Sequence, residues 1–377
     1  MREQTRIVKG TGNDEVTGCI DIPIYRGAVY AHNTLEFDHN QSFYARCGTP
    51  TTQLVEQNLA YLEQGDRALL TSSGMGAISI VLKLFDPGDH IIVTGDLYGG
   101  TYRYFEEFYS KYGIEFEFAD TWDKEDVKKR VKENTRAFFI ETPSNPAMHV
   151  TDLRFIAELA KANDALFIVD NTFLSPYFQK PLTLGADIVV HSATKYLGGH
   201  NDLLAGVIVC KGDELAEKLY YAYISEGNNI SAEDAWLLNR SIKTLPVRIE
   251  RQEKNAKILV DVLKSIPEVD KVYYVGDSER DDYELSKSQT TGFGGMISFT
   301  VKHKEKIGEF LTKFKIINFA ESLGGVESLI TYPYLTTQIP VPDELKKHTG
   351  AGDDLLRLSV GIEDVEDLKE DLIQALS

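Results

Sequence analysis

From Asp66 to Gly212, short apolar runs alternate with helix-length segments, and this alternation constrains the fold more than any other feature of the chain. "RALLTSS", "DHIIVTG", "IEFEFAD", "TRAFFIETP", "ALFIVDNTF", "ADIVVHSA" and "AGVIVCKG" are strand candidates. Between most of them lie segments of helical periodicity, among them "GMGAISIVLKLF", "GTYRYFEEFYSKYG" ending at Gly113, and "DLRFIAELAKAND". Such alternation predicts an α/β fold: a mostly parallel sheet with helices on both faces. Near Lys243 to Pro246 the character changes. "RIERQEKNAKILVDVLKSI" reads as a long amphipathic helix, followed by "GGMISFTV", "LRLSVGIE" and a terminal helix "EDVEDLKEDLIQAL". We expect a smaller C-terminal α+β domain over residues 246–377, packed on a large domain over residues 46–245. Residues 1–45, Gly- and Asn-dotted, read as an irregular arm with an apolar stretch at "IPIYRGAVY".

At 377 residues the chain is long enough for a large core. Its 40 Lys and Arg against 58 Asp and Glu give a formal net charge of -18. That field disfavours nucleic acid and anionic membranes as partners. An anionic ligand needs a local cluster of donors. The three cysteines, Cys19, Cys47 and Cys210, fit no zinc spacing and no disulfide framework. The N-terminal "MREQTRIVKGTGNDEV" lacks the apolar core of a signal peptide, and no stretch is long enough to span a bilayer. A cytoplasmic location is expected.

In open α/β sheets, ligands bind beyond the carboxyl ends of the strands. After "ALLTS" come Ser73-Gly74-Met75-Gly76, after "IIVTGD" Tyr98-Gly99-Gly100, and after "AFFIE" Thr142, Ser144 and Asn145. "LFIV" is followed by Asp170-Asn171-Thr172, and "DIVV" by His191-Ser192-Ala193-Thr194-Lys195. Glycines opening a helix offer free N–H groups to a phosphate, and Ser192 and Thr194 could donate to it as well. Tyr98 offers a flat face to a ring. Asp170 ends a very apolar strand, and a buried carboxylate needs a partner, which a protonated pyridine nitrogen would supply. An isolated lysine is ordinarily surface charge. Lys195 beside a phosphate site, an aromatic platform and a buried acid has the setting of a lysine made nucleophilic by desolvation. Phosphate, ring, acid and lysine together describe a pyridoxal 5'-phosphate site.

The motifs "YARCGTPT", "SSGMGAI", "DLYGGTYR", "ETPSNP", "VDNTF", "HSATKYLGGHND", "AESLGGVESLI" and "RLSVGIE" occur in an order that resembles the Cys/Met-metabolism family of pyridoxal-phosphate enzymes. That family includes cystathionine γ-synthase, the cystathionine γ- and β-lyases and methionine γ-lyase. The resemblance runs from "TGCIDIPIY" to "LRLSVGIE" and implies the fold-type I PLP-dependent transferase architecture. It implies that Lys195 bonds covalently to the cofactor, Asp170 holds its ring nitrogen, Tyr98 stacks on the ring and Thr172 packs under it. By the same resemblance Gly74, Met75, Ser192 and Thr194 bind the phosphate. Tyr44 and Arg46 reach the phosphate in a neighbouring subunit's site, which implies a homo-oligomer with shared sites, a dimer of dimers. Asn145 and Arg357 hold the substrate α-carboxylate, with Ser322 close by.

The implied chemistry is removal of an α-proton by Lys195 as general base, followed by loss of a sulfur substituent from Cβ, or by transfer of a Cβ proton by Lys195 and loss of the substituent from Cγ of a sulfur amino acid. Three positions depart from the family pattern: Thr49, Asn201 and the pair Thr337-Gln338. They are expected near the substrate entrance. Gly100 stands where methionine γ-lyases carry a cysteine, and Glu321 precedes "SLGG" as in cystathionine-handling members. Glu321 is therefore the candidate receptor for the distal ammonium of cystathionine. The resemblance favours a cystathionine γ-lyase, with β-lyase, γ-synthase and methionine γ-lyase as alternatives.

Overall fold

The structure is a computed structural model that describes residues 1–14, 16–32, 35 and 42–377. Seven short strands of β-branched and aromatic residues build the first sheet: β1 (Arg67–Thr71), β2 (His90–Thr94), β3 (Glu115–Ala119), β4 (Thr135–Glu141), β5 (Leu166–Asp170), β6 (Ile188–Ser192) and β7 (Gly206–Cys210). Their order is β1-β7-β6-β5-β4-β2-β3. β7 runs antiparallel to both its neighbours, and the other pairings are parallel. The mostly parallel sheet expected from the alternation is therefore formed.

Side chains alternate between the two faces of each strand. In β5, Ile168 packs on one face with Ile188, Val190 and the helix Gly74–Leu82, while Phe167 and Val169 pack on the other with Val189 and the helix Leu153–Ala162. Each fully buried aliphatic side chain contributes about 1.5–3 kcal/mol of transfer free energy. This is why central strands such as "LFIV" carry no polar residue before their ends. Helix starts are capped locally. Ser73 Oγ accepts from Gly76 N at 3.1 Å, and Asp152 accepts from Phe155 N.

A second sheet holds β8 (Val269–Tyr273), β9 (Met296–Val301), β10 (Asn318–Phe319), β11 (Leu329–Thr331) and β12 (Leu355–Ser359) in the order β10-β11-β12-β9-β8. Its core is shared with the helices Leu245–Ser265 and Val365–Ala375 through Leu259, Leu263, Leu368 and Leu372. In β12, Leu356 and Leu358 enter that core. Arg357 and Ser359 alternate with them and turn toward the first sheet, as does Ser298 of β9, whose Oγ donates to the Pro146 carbonyl at 2.6 Å.

Two segments differ from expectation. The expected arm holds a helix, Glu3–Lys9, because Ile7 reaches the large core and Lys180 pairs with Glu3; part of that arm, residues 15, 33, 34 and 36–41, lies outside the described residues. The segment "GTYRYFEEFYSKYG" is a broken helix. An α turn at Gly99–Arg103 widens to a π turn at Tyr104–Tyr109 and tightens to a 3₁₀ turn at Ser110–Tyr112. Burial of Phe105 against Phe116 and Phe139 sets that register. Gly113, at φ +82°, ends it as the sequence suggests.

Candidate active site

β1, β2, β4, β5 and β6 all run toward one edge of the first sheet, so the residues following them converge there. The helix Gly74–Leu82 begins against the end of β6. A Cβ on Gly74 would lie 2.8 Å from Ser192 Cβ, so only glycine permits this approach. The first N–H groups of that helix thus share one spot with Ser192 and Thr194, and Met75 is the second residue of the helix. Ser192 N donates to Thr172 Oγ1 at 2.9 Å, and Thr194 exchanges hydrogen bonds with Ala205. A helix N-terminus with two hydroxyls beside it suits a phosphate.

Asp170 ends β5. Its Oδ1 accepts from Thr172 N at 3.0 Å and Thr172 Oγ1 at 2.6 Å. Burial raises its pKa, while the Thr172 donors and the nearby His191 oppose that rise. A half-buried carboxylate held in place by Thr172 suits a pyridinium N–H as its partner. Tyr98 leaves its ring 41% exposed at the same edge. The ring lies so close over Gly100 that a Cβ there would meet it at 2.4 Å.

Lys195 follows β6 in a turn, and its Nζ donates to Ser322 Oγ at 2.7 Å. Burial, joined by the Arg357 charge, lowers its pKa to about 8 against the opposing pull of Glu321. The amine is therefore largely available as a base only a little above neutrality. Arg357, 2% exposed, donates from Nη1 to Asn145 Oδ1 at 2.7 Å and from Nη2 to the Ser322 carbonyl at 3.1 Å. Its Nε is buried without a partner among the described residues. Burial holds its pKa down at about 10. Ser322 links the amine to the guanidinium and sits at φ +89°, a strained backbone for a non-glycine residue. Glu321 is exposed at the rim.

Tyr44 and Arg46 are not drawn into this cluster by hydrogen bonds. The Arg46 guanidinium lies over the Tyr44 ring and donates to the Ile224 carbonyl, at the end of the helix Asp213–Glu226.

Two acids escape a reading of residues after strands. Glu141 is the last residue of β4, and the register sets it beside Asp170. Its Oε2 accepts from Tyr98 N at 3.0 Å. Burial, reinforced by the Asp170 charge, raises its pKa well above the usual carboxylate value. Asp96 accepts from Ser144 Oγ and from Ala147 N, and its own carbonyl accepts from Asn145 N at 3.3 Å. It fixes the loop that presents Asn145. The signal for Glu141 was available: "TRAFFIE" ends in an acid as "ALFIVD" does.

The three departures have local explanations. Thr49 is buried and caps the helix Pro50–Glu63 in a reciprocal pair with Thr52. Gln338 is buried too; its amide donates to the Leu97 and Asn145 carbonyls at 2.9 and 3.0 Å, and Thr337 packs against Gly99. Both hold backbone, and Gln338 does so beside Tyr98 and Asn145. Asn201, at φ +57° in the left-handed region that Asn tolerates, is exposed and donates to Glu327 at 2.6 Å.

The chain matches the model of the Cys/Met metabolism PLP-dependent enzymes over residues 4–377. It is 46% identical to a cystathionine gamma-lyase of Bacillus subtilis (strain 168), covering 100% of this chain and 99% of that one. With a cystathionine beta-lyase of Lactococcus lactis subsp. cremoris (strain MG1363) it shares 42% identity, over 99% and 98% of the two chains. The crystal structure of cystathionine gamma synthase from Xanthomonas oryzae pv. oryzae in complex with cystathionine superposes with a TM-score of 0.96 at 38% identity, covering 100% of this chain and 98% of the other. Similarity of this extent, joined to a site whose donors suit phosphate, pyridinium and carboxylate, places the chain in the Cys/Met metabolism family of pyridoxal-phosphate-dependent enzymes.

Proposed function

We propose that the chain is a carbon–sulfur lyase that cleaves L-cystathionine at the Cγ–S bond, giving cysteine, 2-oxobutyrate and ammonia with uptake of one water. The observation that carries this reading is the Lys195–Ser322–Arg357–Asn145 chain of hydrogen bonds. It sets a base next to a carboxylate receptor, the arrangement an α-amino acid needs for loss of its α-proton. The buried Nε of Arg357 is a spare donor for that carboxylate. The bound cofactor supplies an electron-withdrawing ring and a carbonyl able to bond covalently to amines. Lys195 holds it, then takes the α-proton; it also takes a proton from Cβ so that the Cγ–S bond can break, the departing cysteine sulfur gains a proton, and a proton is returned at Cγ. Asp170 keeps a proton on the ring nitrogen, Thr172 orients Asp170, and Tyr98 covers the ring. Gly74, Met75, Ser192 and Thr194 bind the phosphate.

Glu321 supports a substrate with a distal ammonium. Gly100, with the Tyr98 ring close over it, stands where methionine γ-lyases carry a cysteine. Cleavage at Cβ–S is the second reading, favoured by the β-lyase relative of nearly equal similarity; γ-synthase activity on an activated homoserine is a third, favoured by the γ-synthase fold match. We also read residues 1–45 as an arm, 46–245 as the cofactor domain and 246–377 as the C-terminal domain of a cytoplasmic homo-oligomer. Its Tyr44 and Arg46 would serve a neighbouring subunit's phosphate, in a dimer of dimers. Product analysis after incubation with L-cystathionine tests the reaction. We expect 2-oxobutyrate plus cysteine. Pyruvate plus homocysteine would replace γ- by β-cleavage, and no turnover would remove the lyase reading.

A further inference from the structure

The helix Leu245–Ser265 buries three polar side chains on one face. Arg248, Gln252 and Asn255 are 3%, 0% and 1% exposed. Their spacing of four and three residues aligns them along the helix. Each donates to backbone carbonyls in a different loop. Arg248 donates from Nη1 to the Tyr196 carbonyl at 2.8 Å, and from Nη2 to the carbonyls of Leu197 and Ser241 at 3.3 and 3.0 Å. Gln252 donates to the Gly325 carbonyl at 2.7 Å, and Asn255 to the Gly361 carbonyl at 3.1 Å. Those loops are the ones that carry Lys195, Ser322 and the chain just beyond Arg357. No acid pairs with Arg248 among the described residues, and burial lowers its pKa to about 10. An unpaired buried cation is a costly way to dock a helix. A Cβ on Gly199 would lie 1.9 Å from Arg248 Nη1, so the Gly-Gly pair after Lys195 lets the turn wrap around the guanidinium. The loops also hold one another: Val326 N donates to the Gly199 carbonyl at 3.0 Å, and Gly324 N to Ser359 Oγ at 2.8 Å.

We propose that Arg248, Gln252 and Asn255 are positioning residues, a row of donors on one helix that sets the separation of the Lys195 amine from the Arg357–Asn145 pair. The row spans seven residues, about 10 Å of helix rise, so one rigid element gauges three loops from two sheets. The inference rests on the reading of Lys195 as the reactive amine and of Arg357 as the carboxylate receptor.

The test uses the full chain freed of cofactor, with Gln252→Met and Arg248→Lys. Each keeps most of the volume and removes donors. The readout is the pH midpoint of Lys195 acetylation, followed by peptide mass spectrometry, with circular dichroism to confirm folding. In the parent the midpoint should lie near 8. In both variants it should rise by about one unit as Arg357 and the apolar walls draw away from the amine. In the loaded enzyme, kcat/KM should fall by roughly 10- to 100-fold, the scale of a displaced catalytic group. A folded variant whose midpoint stays where the parent's lies would overturn the proposal and leave the row as packing alone. Should Arg248→Lys not fold, Gln252→Met decides by the same criterion, and Asn255→Leu is its replacement. The acetylation midpoint involves no substrate. A parent with a midpoint near 8 but no turnover of cystathionine would therefore count against the proposed reaction and not against the row.

Discussion

The two sheets furnish the candidate site in different ways. The first gives residues that stand just past strand ends: Tyr98 after β2, Asn145 after β4, Thr172 after β5, Ser192 to Lys195 at β6, with Asp170 as the last residue of its strand. The second gives Arg357 from the middle of a central strand, 2% exposed, and Ser322 from a strained loop. A strand end can change its polar residues without disturbing a core. A mid-strand arginine is tolerated only because the alternate face of β12 meets polar loops of the large sheet instead of its own apolar core. We infer from this a division of labour: apart from Asn145, which meets Arg357, the first sheet's residues would act on the cofactor and the bonds that break, and the second sheet's residues would select the molecule that enters.

The largest effect should come from Lys195→Ala. Turnover should drop by about a thousandfold or more, given that a positioned acid–base group alone contributes about 10²–10⁴-fold. The proposed phosphate donors at Gly74, Ser192 and Thr194 should still retain cofactor, measured by its fluorescence after gel filtration. Near-normal turnover would remove Lys195 from the mechanism. The same variant tests assembly when mixed with Arg46→Ala. If Arg46 serves a neighbouring site, one site of a mixed pair carries both defects and the other neither, so activity should reappear from two weak parents. Subunit exchange without recovery would place Arg46 in its own chain's structure, where its bond to Ile224 already holds it.

Next in size is Asp170→Asn, which keeps volume and the approach to Thr172 but loses the charge. Removing one electrostatic stabiliser of developing charge costs about 10²–10³-fold, and the loss should appear in kcat, with KM moving by less than about threefold. Arg357→Lys should behave in the opposite sense. It loses the fork that bonds Asn145 and Ser322, so KM should rise by about tenfold or more, the weight of a charge-assisted hydrogen bond. A steady-state kinetic comparison of the two variants breaks the division of labour if Asp170→Asn acts mainly through KM or Arg357→Lys mainly through kcat.

That division also explains what was legible in the sequence. Lys195, Asp170, Tyr98, Ser192 and Thr194 follow from the rule that ligands sit beyond strand ends. Arg357 and Ser322 were available only through the family motif, since nothing in "LLRLS" says which face its arginine takes. Glu141 is legible as an acid ending an apolar run, but its place beside Asp170 needed the β4–β5 register. Arg248, Gln252 and Asn255 read in one dimension as the solvent face of an amphipathic helix, and only the loops folded over them show otherwise. In the second sheet, β8 is "VDKVY" and β10 only two residues long, too polar or too short to announce a strand. Gln338 and Thr49 break a family pattern, and the sequence does not show that both satisfy buried backbone groups, a need that any polar side chain of the right reach can meet.

The smallest effect tests the second sheet at its outer limit. Glu321 stands next to Ser322 but is exposed, so it cannot act as Arg357 does. Its charge reaches the Lys195 amine, which it raises against the lowering effects of burial and Arg357. Glu321→Ala should therefore lower the Lys195 pKa below about 8, moving the pH midpoint of Lys195 acetylation in the cofactor-free chain to lower pH. The midpoint moves down because losing a nearby anion makes the ammonium easier to deprotonate. The second consequence concerns the substrate. Cystathionine carries an ammonium at its unreactive end, and an exposed ion pair contributes about 0–1 kcal/mol, a few-fold at most. The ratio of kcat/KM for cystathionine to that for a thioether amino acid lacking the distal ammonium should fall by that amount. An acetylation midpoint that shifts while the ratio stays fixed would make Glu321 a tuner of the base alone. The second sheet would then select substrate through Arg357 only, by a carboxylate that every amino acid shares, and the preference for cystathionine would need another source.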